Sequence, residues 1–175
     1  MDGAALIVDG LGRVQEVLHR ALQGVPSTVL CRMPTKDTNS MAWLAWHLTR
    51  VQDHHLSDLA GLPQQWSAQG WHAKFRMKPD DSETGSGHTP KQVEALKVDG
   101  PELLLGYYDA VYERSKRYLA GVRPVDLDRE LDEPQYTPLP KVGVRLVSVL
   151  ADNTQHAGQI AYLRGYFEGL GWQRY

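Results

Sequence analysis

Four blocks of the chain return an apolar residue every three or four positions, and the stretches between them have no period. From about Ala5 to Gly24, Ile7, Leu11, Val14, Leu18, Ala21 and Leu22 recur at that spacing with Arg13, Gln15, Glu16, Arg20 and Gln23 between them, which predicts an amphipathic helix. Pro26 and Pro34 bracket an irregular link. Asn39 or Ser40 then stands where a helix cap is needed, and a second helix is expected from about Met41 to Leu59, stopped by Gly61 and Pro63. Gly100-Pro101-Glu102 has the chemistry of a helix start, with proline at the first helical position and an acid in the first turn. Leu104, Tyr107, Tyr108, Val111, Ser115, Tyr118 and Leu119 continue that helix to Gly121. A second irregular segment holds Pro124, Pro134, Pro138 and Pro140. After it Val142, Leu146, Val149, Asn153, His156, Ile160, Leu163 and Phe167 recur close to a heptad pattern until Gly169 and Gly171. No alternating run is long enough to demand a sheet. The expectation is an all-α four-helix bundle with long crossover connections, built as a single domain over residues 1–175.

The stretch from Leu62 to Gly100 is rich in Gly, Pro, Ser, Asp and Thr, with one helical turn expected near Lys91 to Leu96. A connection of that length inside a compact domain usually has a task, and covering a site is the common one. Trp66, Trp71 and Phe75 need apolar surface. The connection is expected to cover the open side of a site with Trp71, and His88 as a further candidate; the alternative is that the three aromatic residues close the bottom or flank of the core.

Composition narrows the class. A hydrophobic fraction of 42% with 23% charged residues argues for folding and against disorder. A formal net charge of -2 gives no general attraction to phosphate, so nucleic acid is not expected as a partner. No stretch is apolar and long enough to span a bilayer, and the N-terminal run has no basic flank of a signal peptide. The single cysteine, Cys31, excludes an internal disulfide and fits a reducing, cytoplasmic address. It reads as a structural or incidental thiol, since nothing near it resembles a paired base.

The fourth helix carries the sharpest anomaly, because Asp152, Asn153 and His156 interrupt an apolar stripe. A buried carboxylate needs a partner. Asp152 and His156 are four apart, neighbours on one helical face, and could present two ligands to one ion. They could equally form a hydrogen-bonded pair, or Asp152 could turn to solvent. His47, set among Trp43, Leu44 and Val51 on the second helix, is expected to point inward and supply a third ligand, although a lone histidine on an apolar face is more often a satisfied core residue. Two imidazoles and a carboxylate suit Zn²⁺ first, or Ni²⁺ or another first-row divalent ion, with positions left open. His19, His54 and His55 are expected at the solvent. His72 and His88 lie in the long connection, where they could line a site.

Two stretches carry a resemblance: Trp46-His47-Leu48-Thr49-Arg50-Val51-Gln52-Asp53-His54 and Asp152-Asn153-Thr154-Gln155-His156-Ala157-Gly158-Gln159-Ile160. They resemble the DinB/YfiT superfamily of metal-binding four-helix bundles over nearly the whole chain. Superfamily members commonly use three histidines, and Asp152 stands here at the earlier position of the last pair. That departure is similar to the branch with mycothiol-dependent maleylpyruvate isomerase. Val51-Gln52-Asp53, Gly70-Trp71, Thr84-Gly85-Ser86-Gly87-His88 and Gly106-Tyr107-Tyr108 further resemble actinobacterial mycothiol S-transferases of the superfamily.

The resemblance implies a metal-dependent transferase in which a small-molecule thiol, mycothiol as cosubstrate, attacks an electrophile, in detoxification or stress response. Gln159 would support His156 or face the pocket, and Trp71 and His88 are candidate substrate-binding residues. The same fold also accommodates a non-catalytic metal-containing stress or ligand-binding protein, and a metal-assisted hydrolase or isomerase. A homodimer is a further expectation, with the tail from Trp172 to Tyr175 as one candidate surface.

Overall fold

The computed structural model describes residues 1–172; residues 173–175, and with them most of the tail considered as a dimer surface, lie outside the described residues. The fold is all-helical, and among the described residues the one β pairing is an isolated bridge between Glu130 and Lys141. Four long helices dominate: α1 (Gly3–Leu22), α2 (Met41–Ala60), α3 (Pro101–Leu119) and α4 (Val142–Glu168). Their ends follow local chemistry. The Asp2 carboxylate accepts from the Ala5 N–H, which starts α1 earlier than its apolar period predicts. Ser40, rather than Asn39, caps α2 by accepting from the Trp43 N–H, and Gly61 at φ 64° closes that helix in the left-handed conformation. Pro101 opens α3, where an N–H would have had no helical partner.

Helix α4 packs on both α1 and α2, and α3 packs on the same two. Thus α1 and α2 face each other across one diagonal of the bundle and α3 and α4 across the other. Helices consecutive in sequence are neighbours only for α2 and α3, so the links from α1 to α2 and from α3 to α4 must cross the bundle, as the long connections lead one to expect. One continuous apolar cluster runs through all four helices.

Every residue of α2 from Met41 to Arg50 is buried. One side faces the bundle, and the long connection after α2 covers the other. That connection folds into three short helices, Gln65–Ala68, Trp71–Lys74 and Pro90–Ala95. Trp66, Trp71 and Phe75 join the core, their ring centroids 5.7, 5.2 and 5.8 Å from that of Tyr107. The expectation that Trp71 covers the site is therefore not met. Gly106 of α3 lacks the Cβ that would stand 3.3 Å from the Trp71 ring, so the indole settles on α3, with the Lys74 ammonium 3.7 Å from its centroid.

Candidate metal centre

Helix α2 presents His47, and α4 presents Asp152 and His156 one turn apart. One donor atom from each lies within 4.8 Å of the others. Asp152 Oδ1 is 3.5 Å from His156 Nε2, and the His47 and His156 rings meet edge to face at 5.0 Å.

The outward nitrogen of each imidazole is already engaged. His47 Nδ1 is 2.5 Å from the Thr84 carbonyl oxygen, and a carbonyl only accepts, so Nδ1 carries the proton and the Nε2 lone pair is left free. His156 Nδ1 donates in the same way to Gln159 Oε1 at 2.8 Å. Such outer acceptors fix the tautomer and orientation of metal-binding histidines. Asp152 Oδ2 is buried without a hydrogen-bond partner, a costly condition for a carboxylate oxygen unless a cation satisfies it. Two imidazole lone pairs and one unsatisfied carboxylate fit a divalent ion of the zinc type.

Protonation follows from the surroundings. Burial pushes the His47 pKa down, partly opposed by the Thr84 carbonyl, so this imidazole is held neutral. The hydrogen bond with Asp152 is the main cause raising the His156 pKa. Without a cation the pair shares a proton that an ion would displace.

The stretch from Asp81 to His88 seals the outer side of His47. Gly85, at φ 89°, lies so close that an added Cβ would stand 2.7 Å from the Trp46 ring and 3.2 Å from His47 Nδ1. The Trp43 indole stacks on His47 at 4.7 Å. His88 is a brace and not a lining residue: its Nδ1 accepts from Trp43 Nε1 at 3.0 Å, and its Nε2 lies 3.1 Å from Glu83. The stretch is tied down by Arg50, 0% exposed, which donates to the carbonyls of Glu83 and Asp81 and to Gln64 and Tyr107. Asp53 lies 3.6 Å away and itself accepts from Tyr107 and from the Gln65 and Trp66 N–H groups. This buried ion pair is fully hydrogen-bonded, the condition under which burial of charge is tolerated.

Asn153, the third polar residue of the α4 anomaly, belongs to a different network. Its amide donates to Gln52, whose own amide donates to Ser115. His54 and His55 are not at the solvent as expected. His54 meets Gln64 and the Asp81 carbonyl. His55 lies 2.8 Å from Arg145, and burial, with Arg145 and His54 alongside, pushes its pKa down to about 4. His19 pairs with Asp109 while still partly exposed. His72 lies near the Met77 carbonyl, away from the centre. Cys31 is free and touches the Val98 backbone.

Two cavities flank the centre. One, of about 590 Å³, reaches Asp152 and is bounded by His55, Arg145, Val51, Leu139 and Val149. The other, of about 820 Å³, lies on the Gln159 side, between α4 and the segment 34–39. Among the described residues no helix is long and apolar enough to cross a membrane.

A family model described as mycothiol-S-transferase matches residues 6–169. Among solved structures, a conserved protein from Enterococcus faecalis is similar at 30% identity with a TM-score of 0.89, over 97% of this chain and 99% of that one. No curated protein matches.

Proposed function

The chain belongs to the mycothiol-S-transferase family, and from that premise we propose that it is a metal-dependent transferase joining mycothiol to an electrophile. His47, Asp152 and His156 hold one divalent ion, zinc in the first place, with nickel or another first-row metal as alternatives. The observation that carries this reading is the buried, unpartnered Asp152 Oδ2 beside two imidazoles whose Nδ1 atoms are both engaged outward. A bound ion would supply an open position at which a thiol is held as thiolate, the nucleophilic form. One carboxylate with two neutral imidazoles leaves that ion with residual positive charge, which suits an anionic sulfur.

The chain's own residues do the rest. Thr84 and Gln159 keep both Nδ1 protons outward, so the two lone pairs stay inward. Trp43, Trp46 and Gly85 exclude water from the outer face of His47. The cavity beside Asp152 admits the electrophile between the apolar side chains of Val51, Leu139 and Val149 and the Arg145 guanidinium. The transfer forms a sulfur–carbon bond as the leaving group departs with its bonding electrons, and the thiol proton passes to solvent. We place this reaction in the cytosol, in detoxification, and read residues 1–175 as one domain.

The test is to incubate metal-loaded protein with mycothiol and a panel of electrophiles and to weigh the products. Thioether adducts that form with wild type and not with His156→Ala support the reading. Stoichiometric metal with no adduct from any electrophile would identify a non-catalytic metal-containing binder. Products altered without sulfur incorporation would identify a hydrolase or isomerase.

A further inference from the structure

The cavity on the Gln159 side points to how the thiol is recognised, and we propose that it is the binding site for the polyol end of mycothiol. This rests on the function proposed above. Mycothiol is an N-acetylcysteine joined through an amide to a glucosaminyl-inositol, with its sulfur at one end and a hydroxyl-rich, uncharged pseudo-disaccharide at the other. A ligand of that shape, held by its sulfur at His47, Asp152 and His156, needs a polar groove that begins at the centre and runs away from it.

The groove has that course. Gln159, whose Oε1 accepts from His156 Nδ1, lies in its wall, and the groove continues along α4 to Tyr162 and Tyr166. At the helical rise, Tyr162 and Tyr166 stand about 9 and 15 Å along the axis from His156. Facing them, the segment 34–39 contributes Asp37 and Asn39. A carboxylate offers two acceptors, and a carboxamide a donor beside an acceptor, to adjacent hydroxyls, and a flat aromatic face packs against the C–H face of a sugar ring. Tyr162 is 71% and Tyr166 60% exposed, and their rings lie 27° from parallel with centroids 6.4 Å apart. This forms an aromatic shelf on the surface.

Charge separates the two cavities. Among the described residues Asp37 is the one charged residue lining this groove, which suits a neutral polyol. The cavity beside Asp152 also has polar side chains, Thr137 and Ser148 among them, but is lined by charge of both signs from Asp152 and Arg145, a lining that suits a polarised electrophile better than a neutral polyol.

The experiment compares mycothiol with N-acetylcysteine, which has the same sulfur end and no polyol, in wild type, Tyr162→Ala and Asp37→Ala. The ratio of kcat/KM for mycothiol over N-acetylcysteine is expected to fall roughly fivefold to tenfold in each variant, the loss of about one hydrogen bond or packed ring face. Equal ratios in all three proteins would overturn the proposal. Calorimetric titration of the metal-free protein with thiol-free N-acetylglucosaminyl-inositol, whose nitrogen is an uncharged amide as in mycothiol, separates this result from failure of the transferase reading, because it requires no turnover. Binding by wild type that weakens in both variants supports the groove even if no electrophile reacts. No binding by wild type, or binding that is indifferent to both substitutions, overturns it. So does sedimentation showing a wild-type dimer that Tyr162→Ala dissociates while thiol selectivity is unchanged, since the shelf would then be a contact between copies.

Discussion

Replacing Gly85 by alanine should damage the proposed metal centre without touching a proposed ligand. Two costs fall on the variant. The first is conformational: φ is 89° at Gly85, and a side chain in this left-handed region costs roughly 1–2 kcal/mol. The second is steric. The new Cβ would stand 2.7 Å from the Trp46 ring and 3.2 Å from His47 Nδ1, whereas carbon atoms pack at about 3.5–4.0 Å. Trp46 and His47 lie on a buried stretch of α2, so the connection must retreat by about 0.8 Å to restore contact distance. The Thr84 carbonyl moves with it, and its 2.5 Å hydrogen bond to His47 would stretch beyond the usual N–H···O range of about 2.7–3.2 Å. Losing the outer partner of a ligating histidine costs on the order of 10- to 100-fold in metal affinity. Gly87 is a built-in control, since at φ 77° it has nothing within 4 Å of an added Cβ. Gly87→Ala carries the conformational cost alone. Chelator competition should therefore show Gly85→Ala binding zinc 10- to 100-fold more weakly than Gly87→Ala, with thermal unfolding of the metal-free proteins also lower for Gly85→Ala. Equal zinc affinities in the two variants would refute the claim that Gly85 seats Thr84 on His47.

Trp71→Ala should destabilise the fold by roughly 3–5 kcal/mol, as for a large core aromatic, with metal stoichiometry unchanged in elemental analysis; a normal melting temperature with altered metal content would contradict its placement on α3. Asp152→Asn keeps volume and removes charge, so zinc affinity should drop while the helical circular dichroism spectrum persists. In the metal-free variant the His156 pKa, read by NMR titration, should fall from its raised value, because the Asp152 hydrogen bond is the leading cause of the rise. In wild type the stability from that pair is fully present below the ordinary histidine pKa of about 6.5 and is lost as pH rises through the higher folded value. His55 works in the opposite sense. Its folded pKa near 4 lies below the unfolded value of about 6.5, so the unfolded chain binds the extra proton and metal-free stability declines as pH drops through that window. His55→Gln should flatten the decline in melting temperature between pH 6.5 and 4, and an unchanged slope would contradict the assignment.

The four long helices were legible because their period, caps and stops are local signals: Ser40, Gly61, Pro101 and Gly169 act within a turn of their own positions. The juxtaposition of His47 with Asp152 and His156 was legible for a different reason, since polar residues inside apolar stripes are costly and the cost had to be met somewhere. The parts that escaped depend on partners remote in sequence. Arg50 looks like an exposed cation until the carbonyls of Asp81 and Glu83 are seen to satisfy it, and no periodicity announces that the connection after α2 wraps that helix. His55 appeared solvent-facing because Arg145, which adjoins it and is itself paired with Glu133, lies far along the chain. Trp71 was misplaced because an aromatic residue in a long connection needs apolar surface, and the sequence does not say which surface. A free site beside Gly106 decided it. Thr84 acts through its backbone carbonyl, so its side chain carried no signal; Gly85 did, in requiring a backbone without Cβ.

In the proposed reaction His47, Asp152 and His156 together hold an ion that receives the mycothiol sulfur. Cobalt(II) substitution tests it directly, because a sulfur ligand on cobalt produces a charge-transfer absorption in the near ultraviolet. Titrating mycothiol into the cobalt-loaded protein should raise that band to saturation at one thiol per chain, and His47→Ala and His156→Ala should bind neither stoichiometric cobalt nor thiol. A stoichiometric cobalt site that survives in both variants, or a wild-type spectrum that mycothiol leaves unchanged, would contradict the account.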